Sequence, residues 1–223
     1  VSRWLNFLGF LVLALFIEAC IPTSLKLDSG PMLVPITQAG YHWTPDRFPI
    51  PVYVHPQMDP IRKLAVLLAI DQWNESVGGD VFEYIDAPPN WPMFEENGAF
   101  TALGFVSVEE GLVGVDPDMN VQRNAWAAVS LRPGRYELLG EIHGARVMIG
   151  THVSGLEDAA RITFHELGHC LGLAHDGNDR TSIMYYSATL SMSQHLQEED
   201  LAYVRQQVGT WTAVEVFRES LQL

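Results

Sequence analysis

The stretch His165-Glu166-Leu167-Gly168-His169, followed by Gly172 and His175, narrows what this chain can fold into more than any other. Residues four apart on an α-helix lie nearly one above the other, so His165 and His169 project two imidazoles from one face. That is half of a tetrahedral zinc site, and a third ligand has to come from a chain that has turned back towards the same face. Gly172 supplies the turn, because glycine enters the left-handed conformation without steric cost and commonly ends helices. His175 can then come up from beneath, and the fourth position is left to water. Glu166, beside the first histidine, is placed to take the proton of that water as it attacks a carbonyl.

The pattern H-E-x-x-H-x-x-G-x-x-H resembles the metzincin zinc endopeptidases, and Leu167-Gly168 with Leu171-Gly172-Leu173 is most similar to the matrixin branch. Ser182-Ile183-Met184-Tyr185-Tyr186 resembles the Met-turn of that family, with Met184 as an apolar floor under the histidines. The resemblance implies an α+β catalytic domain: a twisted mixed sheet with an antiparallel edge strand, a backing helix, an active-site helix and a C-terminal helix. It also implies one catalytic Zn²⁺ on His165, His169 and His175, with Glu166 as general base. Tyr186 lies two residues after Met184, as in the astacin and serralysin branches, where that tyrosine contacts zinc or steadies the oxyanion. It is therefore a second candidate catalytic residue, and the branch features are mixed.

Local patterns place elements around the motif. Ile50, Val52 and Val54 alternate with Pro51 and Tyr53, which reads as a strand that its prolines push to a sheet edge. Asp59-Pro60 opens a helix in which Ile61, Leu64, Ala65, Leu68 and Trp73 recur at helical spacing until Gly78-Gly79. Val81 to Ile85, Ala102 to Val108, Asn124 to Leu131 and Arg146 to Ile149 are further strand candidates. Asn124 to Leu131 is the candidate edge along which an extended peptide could add as another strand. Ser154 and Glu157 have capping-box spacing before a helix expected from about Gly155 to Leu171. A last helix is expected from about Gln197 to Val208. His143 and His152 are candidates for a second, structural Ca²⁺ or Zn²⁺ site, and Asp116 to Asn120 reads as an acidic turn because the glycine and closing glutamate of an EF-hand are missing.

The remaining features concern location and partners. Arg3 followed by the apolar run Leu5 to Ile17 is too short to span a bilayer and reads as a signal segment. Ile17-Glu18-Ala19-Cys20 resembles the lipobox of bacterial lipoproteins, with Cys20 as the lipidated residue. The expected organisation is a signal peptide over 1–20, a Pro-rich tether or short prosegment over 21–48, and the metalloprotease domain over 49–223. The expected location is the bacterial cell envelope through a lipid anchor at Cys20, or secretion. With 13 basic against 27 acidic residues, the formal charge of -14 argues against nucleic acid as a partner. A monomer acting on a protein or peptide substrate is expected. The alternative is a lipid-tethered, zinc-containing binding or adhesion protein without proteolytic activity. Glu166 argues against it, since a binding protein has no chemical use for that carboxylate.

Overall fold

The structure, a computed structural model, describes residues 33–34, 41–87, 104–116, 121–131, 140–177, 179–185 and 195–209. Its strands are β1 (Leu33–Val34), β2 (Ile50–Val54), β3 (Phe82–Asp86), β4 (Val106–Gly111), β5 (Val115–Asp116), β6 (Val121–Gln122), β7 (Ala125–Leu131) and β8 (Ile142–Gly150). Its α-helices are α1 (Pro60–Val77), α2 (Leu156–Cys170) and α3 (Glu198–Val208). Six strands form one sheet in the order β1-β7-β8-β4-β2-β3, and β5 pairs with β6 separately. β8, β4, β2 and β3 run parallel, whereas β7 is antiparallel to β8 and to β1. This is the α+β architecture with a mixed sheet that the motif implied. Among the described residues no helix is long and apolar enough to cross a membrane.

The core lies between the sheet and the helices. Val52, Val54, Val106, Val108, Ala145, Val147 and Ile149 alternate inward on adjacent strands and are fully buried, as the period of two requires. β2 is not an edge strand: it pairs with β3 on one side and β4 on the other. Pro51 is tolerated because the ladder to β4 begins only at Val52 opposite Val106, so its missing N–H breaks no bond on that side. β7 is the expected edge, and among the described residues its outer side pairs at Val129 and Ser130, with the two residues of β1.

α1 begins as its sequence predicts, with Asp59 accepting from the Ile61 N–H at 2.9 Å and Pro60 in the first turn. It ends at Gly78, which is left-handed at φ 80. Of the expected stripe, Ala65 and Trp73 are buried and the other three are not. Arg62, Ala65, Val66, Ala69, Ile70, Trp73 and Val77 face inward, while Ile61, Leu64 and Leu68 are exposed. Buried Arg62 is tied to Glu110 and donates to the Val153 carbonyl at 2.7 Å, so the backing helix holds the segment leading into α2. Trp73 donates its indole N–H to the Phe164 carbonyl at 2.9 Å, one residue before the first histidine of the motif.

α2 starts on Gly155 as N-cap without a side-chain cap, so Ser154 does not form the expected capping box. Glu157 and Asp158 in the first turn supply negative charge at the positive helix end instead. The packed domain also begins earlier than the boundary at residue 49. Trp43 is 1% exposed and donates its indole N–H to the Cys170 carbonyl at 2.8 Å, closing one of the carbonyls left open at the end of α2. Gln207 of α3 donates to the Leu171 carbonyl at 2.9 Å and accepts from the Trp43 backbone N–H at 2.9 Å. The end of α2 is thus held by residues far away in sequence.

On the outer side of the sheet, Glu109 of β4 accepts from Arg146 of β8 at 3.3 Å, and Arg146 lies over the Trp126 ring. Burial pushes the Glu109 carboxyl up to about 7, against the pull of Arg146. A carboxyl raised in the folded state keeps a proton that the unfolded chain releases. Folding stability therefore falls as pH rises from about 4.5 to about 7, by on the order of 1–3 kcal/mol after allowance for partial exposure. Glu109→Gln is expected to remove that slope: the difference in Tm between variant and parent should grow in the variant's favour from pH 5 to pH 7.5. A constant difference over this range would show that Glu109 is ionised throughout.

Candidate metal centre

His165 and His169 sit in the last two turns of α2, and His175 follows the left-handed break at Gly172, φ 89. Their Nε2 atoms converge, at 3.1 Å between His165 and His169, 3.0 Å between His169 and His175, and 3.3 Å between His165 and His175. The first of these short contacts is not a hydrogen bond. The Nδ1 atom of His165 lies 2.6 Å from the Ile183 carbonyl, and that of His169 lies 2.7 Å from the Leu173 carbonyl. A carbonyl only accepts, so each Nδ1 carries the proton and each Nε2 presents a lone pair. Burial lowers all three imidazoles below their usual range, His165 to about 4 and His169 well below that range, which keeps them neutral near pH 7. The lone pairs of His165 and His169 pointed at each other repel unless a cation lies between them. Tetrahedral coordination at about 2.0–2.1 Å would separate ligand nitrogens by about 3.4 Å, close to the observed spacing. The donor set therefore fits zinc. Among the described residues it is the one group of three or more His, Cys, Asp or Glu side chains able to hold a metal.

The loop after the helix is built to return His175. Gly172 passes so close to the Tyr41 carbonyl that a Cβ would lie 1.7 Å from its oxygen. The Asp176 N–H then donates to the Met184 carbonyl at 2.9 Å, which ties the third histidine to the Met-turn. Met184 is fully buried, and a Cβ on Gly168 would lie 2.6 Å from its sulfur. Gly168 thus lets the methionine pack directly against the helix between the two histidines, where the apolar floor was expected. Cys170 is fully buried, and burial pushes its thiol well above the usual range, so it is core filler rather than a nucleophile.

Glu166 is 7% exposed, and burial pushes its carboxyl up to about 8 while the charge of Arg123 opposes the shift. Of the other expected site residues, Tyr186 and Cys20 lie outside the described residues. Among the described residues His143 and His152 join no metal-binding group; His152 lies 3.1 Å from the Asn124 side chain. The features the sequence did not reveal are the orienting carbonyls of Ile183 and Leu173 and the clasp of Trp43 and Gln207. The carbonyls have no residue-type signature, and the clasp joins positions 164 residues apart.

A comparison with family models agrees with this geometry. A family model described as matrixin matches residues 82–209, more than half of the 223-residue chain. No curated protein matches the chain. Among solved structures, high choriolytic enzyme 1, a hatching enzyme zinc-protease from the medaka fish Oryzias latipes, aligns at 12% identity over 80% of this chain and 98% of that chain, with a TM-score of 0.42. With its histidine motif inside the matched span, this chain belongs to the matrixin family of zinc metalloendopeptidases.

Proposed function

We propose that this protein is an exported endopeptidase in which His165, His169 and His175 hold Zn²⁺ through Nε2 and Glu166 is the general base. The observation that carries the reading is the convergence of three Nε2 atoms within 3.0–3.3 Å, two of them proton-free and on the helix that bears Glu166. Zinc, when bound, supplies a Lewis acid that polarises a carbonyl and makes water a nucleophile near neutral pH. The chain's own residues do the rest. The Ile183 and Leu173 carbonyls hold two imidazoles in the tautomer that leaves Nε2 free. Glu166 accepts the proton of the attacking water and passes it to the leaving amine. Ala125 to Ala128 of β7 lie beyond the register of β1, and an extended peptide can add along that stretch as an antiparallel strand.

The test is metal removal. Purified protein is expected to cleave casein or a mixed peptide library, to lose that activity in 1,10-phenanthroline, and to regain it on addition of about one equivalent of Zn²⁺. Cleavage that persists in metal-stripped protein would reject the reading. Export and lipidation at Cys20 rest on the N-terminal sequence, and mass spectrometry of the mature protein from membranes would reveal a diacylglycerol-modified cysteine or a different start.

A further inference from the structure

The edge of β7 along which a peptide can add is already in use at one end. The Gly150 N–H donates to the Asn124 carbonyl at 2.7 Å, so Asn124, one residue before β7, turns its backbone groups towards β8. Successive residues of an antiparallel strand direct their N–H and C=O alternately to its two sides. The register from Ala125 opposite Ile149 to Ser130 opposite Gly144 runs without a shift. Trp126, Ala128 and Ser130 therefore face β8 as well, and Ala125, Ala127 and Val129 direct their N–H and C=O outward. Val129 stands opposite Val34 of β1, which makes these two the hydrogen-bonding pair and leaves Leu33 and Ser130 as the pair without bonds. Among the described residues, Ala125 and Ala127 meet no other strand on that side.

β1 runs antiparallel to β7, in the direction a peptide added to the same edge takes. The part of a peptide opposite Val129 precedes the parts opposite Ala127 and Ala125, so β1 stands where the amino-terminal part of a long peptide belongs. Residues 35–40 connect Val34 to Tyr41, and Tyr41 is fixed. Its carbonyl accepts from the Tyr203 hydroxyl at 2.6 Å and abuts Gly172, and the next residue, His42, donates its backbone N–H to the Gly140 carbonyl at 2.9 Å. A strand tied by six residues to a fixed point rebinds within its own molecule, and a diffusing peptide has to compete with that.

We infer that Val34 of β1 determines substrate length: by bonding to Val129 it denies a long peptide that position, so the full chain selects peptides that are short on the amino side of the scissile bond. The inference rests on the peptidase reading above and names the substrate class of that same site. Ala125 and Ala127 remain for the rest of the peptide.

Peptides that share one scissile bond and one carboxyl-side sequence, lengthened residue by residue on the amino side, test this. In the parent, kcat/KM is expected to level off with length, whereas in Val34→Pro, which removes the N–H given to Val129, it should go on rising. The two should differ by about 3–10-fold for the longest peptides, the worth of one hydrogen bond, with the gain confined to those. Leu33→Pro removes an N–H that points away from β7 in this register, and its profile should follow the parent's. Zinc near one per chain reports that each variant is folded. Where Val34→Pro does not retain zinc, Val34→Gly, which weakens the strand but keeps the N–H, is read for the same divergence. A second measurement is independent of turnover: zinc-loaded Glu166→Gln protein should bind the longest peptide, carrying a fluorophore, several-fold more tightly in anisotropy when Val34→Pro is added. Parent and Val34 variant profiles that coincide at every length, or a Leu33→Pro gain equal to that of Val34→Pro, would overturn the inference. If no peptide is cleaved by parent or variants while the binding difference holds, the peptidase reading fails and the inference about the strand site stands; equal binding overturns the inference.

Discussion

Glu166→Gln is expected to lower kcat for peptide cleavage by about 10²–10⁴-fold, the usual worth of a positioned general base, while zinc stays bound at one per chain. The substitution keeps size and hydrogen-bonding atoms but removes the ability to take a proton. The metal should be indifferent to it, because the three imidazole Nε2 atoms converge without the carboxylate. The fold should be indifferent as well, or gain slightly. Glu166 is buried and its charged form is disfavoured by burial, so a neutral amide relieves that cost. The informative result is the combination: zinc content and Tm at or above the parent's, with kcat collapsed and KM little changed. Retained turnover would remove Glu166 from the reaction. Loss of zinc along with activity would make it a structural support of the metal site.

The parts of this site legible in the sequence are those whose geometry is local. His165 and His169 are brought together by helix periodicity alone, and Gly172 announces a left-handed break that the backbone indeed makes at φ 89. Met184 was legible for a related reason, its short distance in sequence from the third histidine. What could not be read depends on the tertiary path of the chain. The carbonyls of Ile183 and Leu173 orient two histidines, and every residue type has such a carbonyl. Trp43 lay in a Pro-rich segment with no sustained period, yet it seals the end of the active-site helix. α1 shows a third kind of limit. Apolar residues occur on both of its faces, so periodicity found the helix but could not choose between the stripe of Ile61, Leu64 and Leu68 and the stripe that is buried. The choice was made by small residues, Ala65 and Ala69, which let α1 approach closely, and by Arg62, whose charge is satisfied inside.

Gly172→Ala is expected to be the most damaging glycine-to-alanine substitution among the described residues, and Gly78→Ala supplies its control. Both glycines are left-handed, at φ 89 and φ 80, so an alanine at either costs about 1–2 kcal/mol for backbone conformation alone. They differ in their surroundings. Nothing lies within 4 Å of a Cβ on Gly78, whereas a Cβ on Gly172 meets the Tyr41 oxygen at 1.7 Å and its carbon at 2.7 Å. That carbonyl cannot yield cheaply, because it accepts from the Tyr203 hydroxyl at 2.6 Å, and the adjoining chain is held through His42 and Trp43. The loop must move instead, carrying Leu173, whose carbonyl orients His169, and His175 with it. We expect Gly172→Ala to lose about 4 kcal/mol or more, a large share of the stability of an ordinary domain, with Tm lower by about 10 °C or more. Zinc affinity should fall by at least about 10-fold, since a ligand and an orienting partner are displaced together. Gly78→Ala should lower Tm by only about 2–8 °C and leave zinc affinity unchanged. Equal losses in the two variants would mean that backbone conformation alone sets the cost and that Tyr41 does not press on the turn that delivers His175.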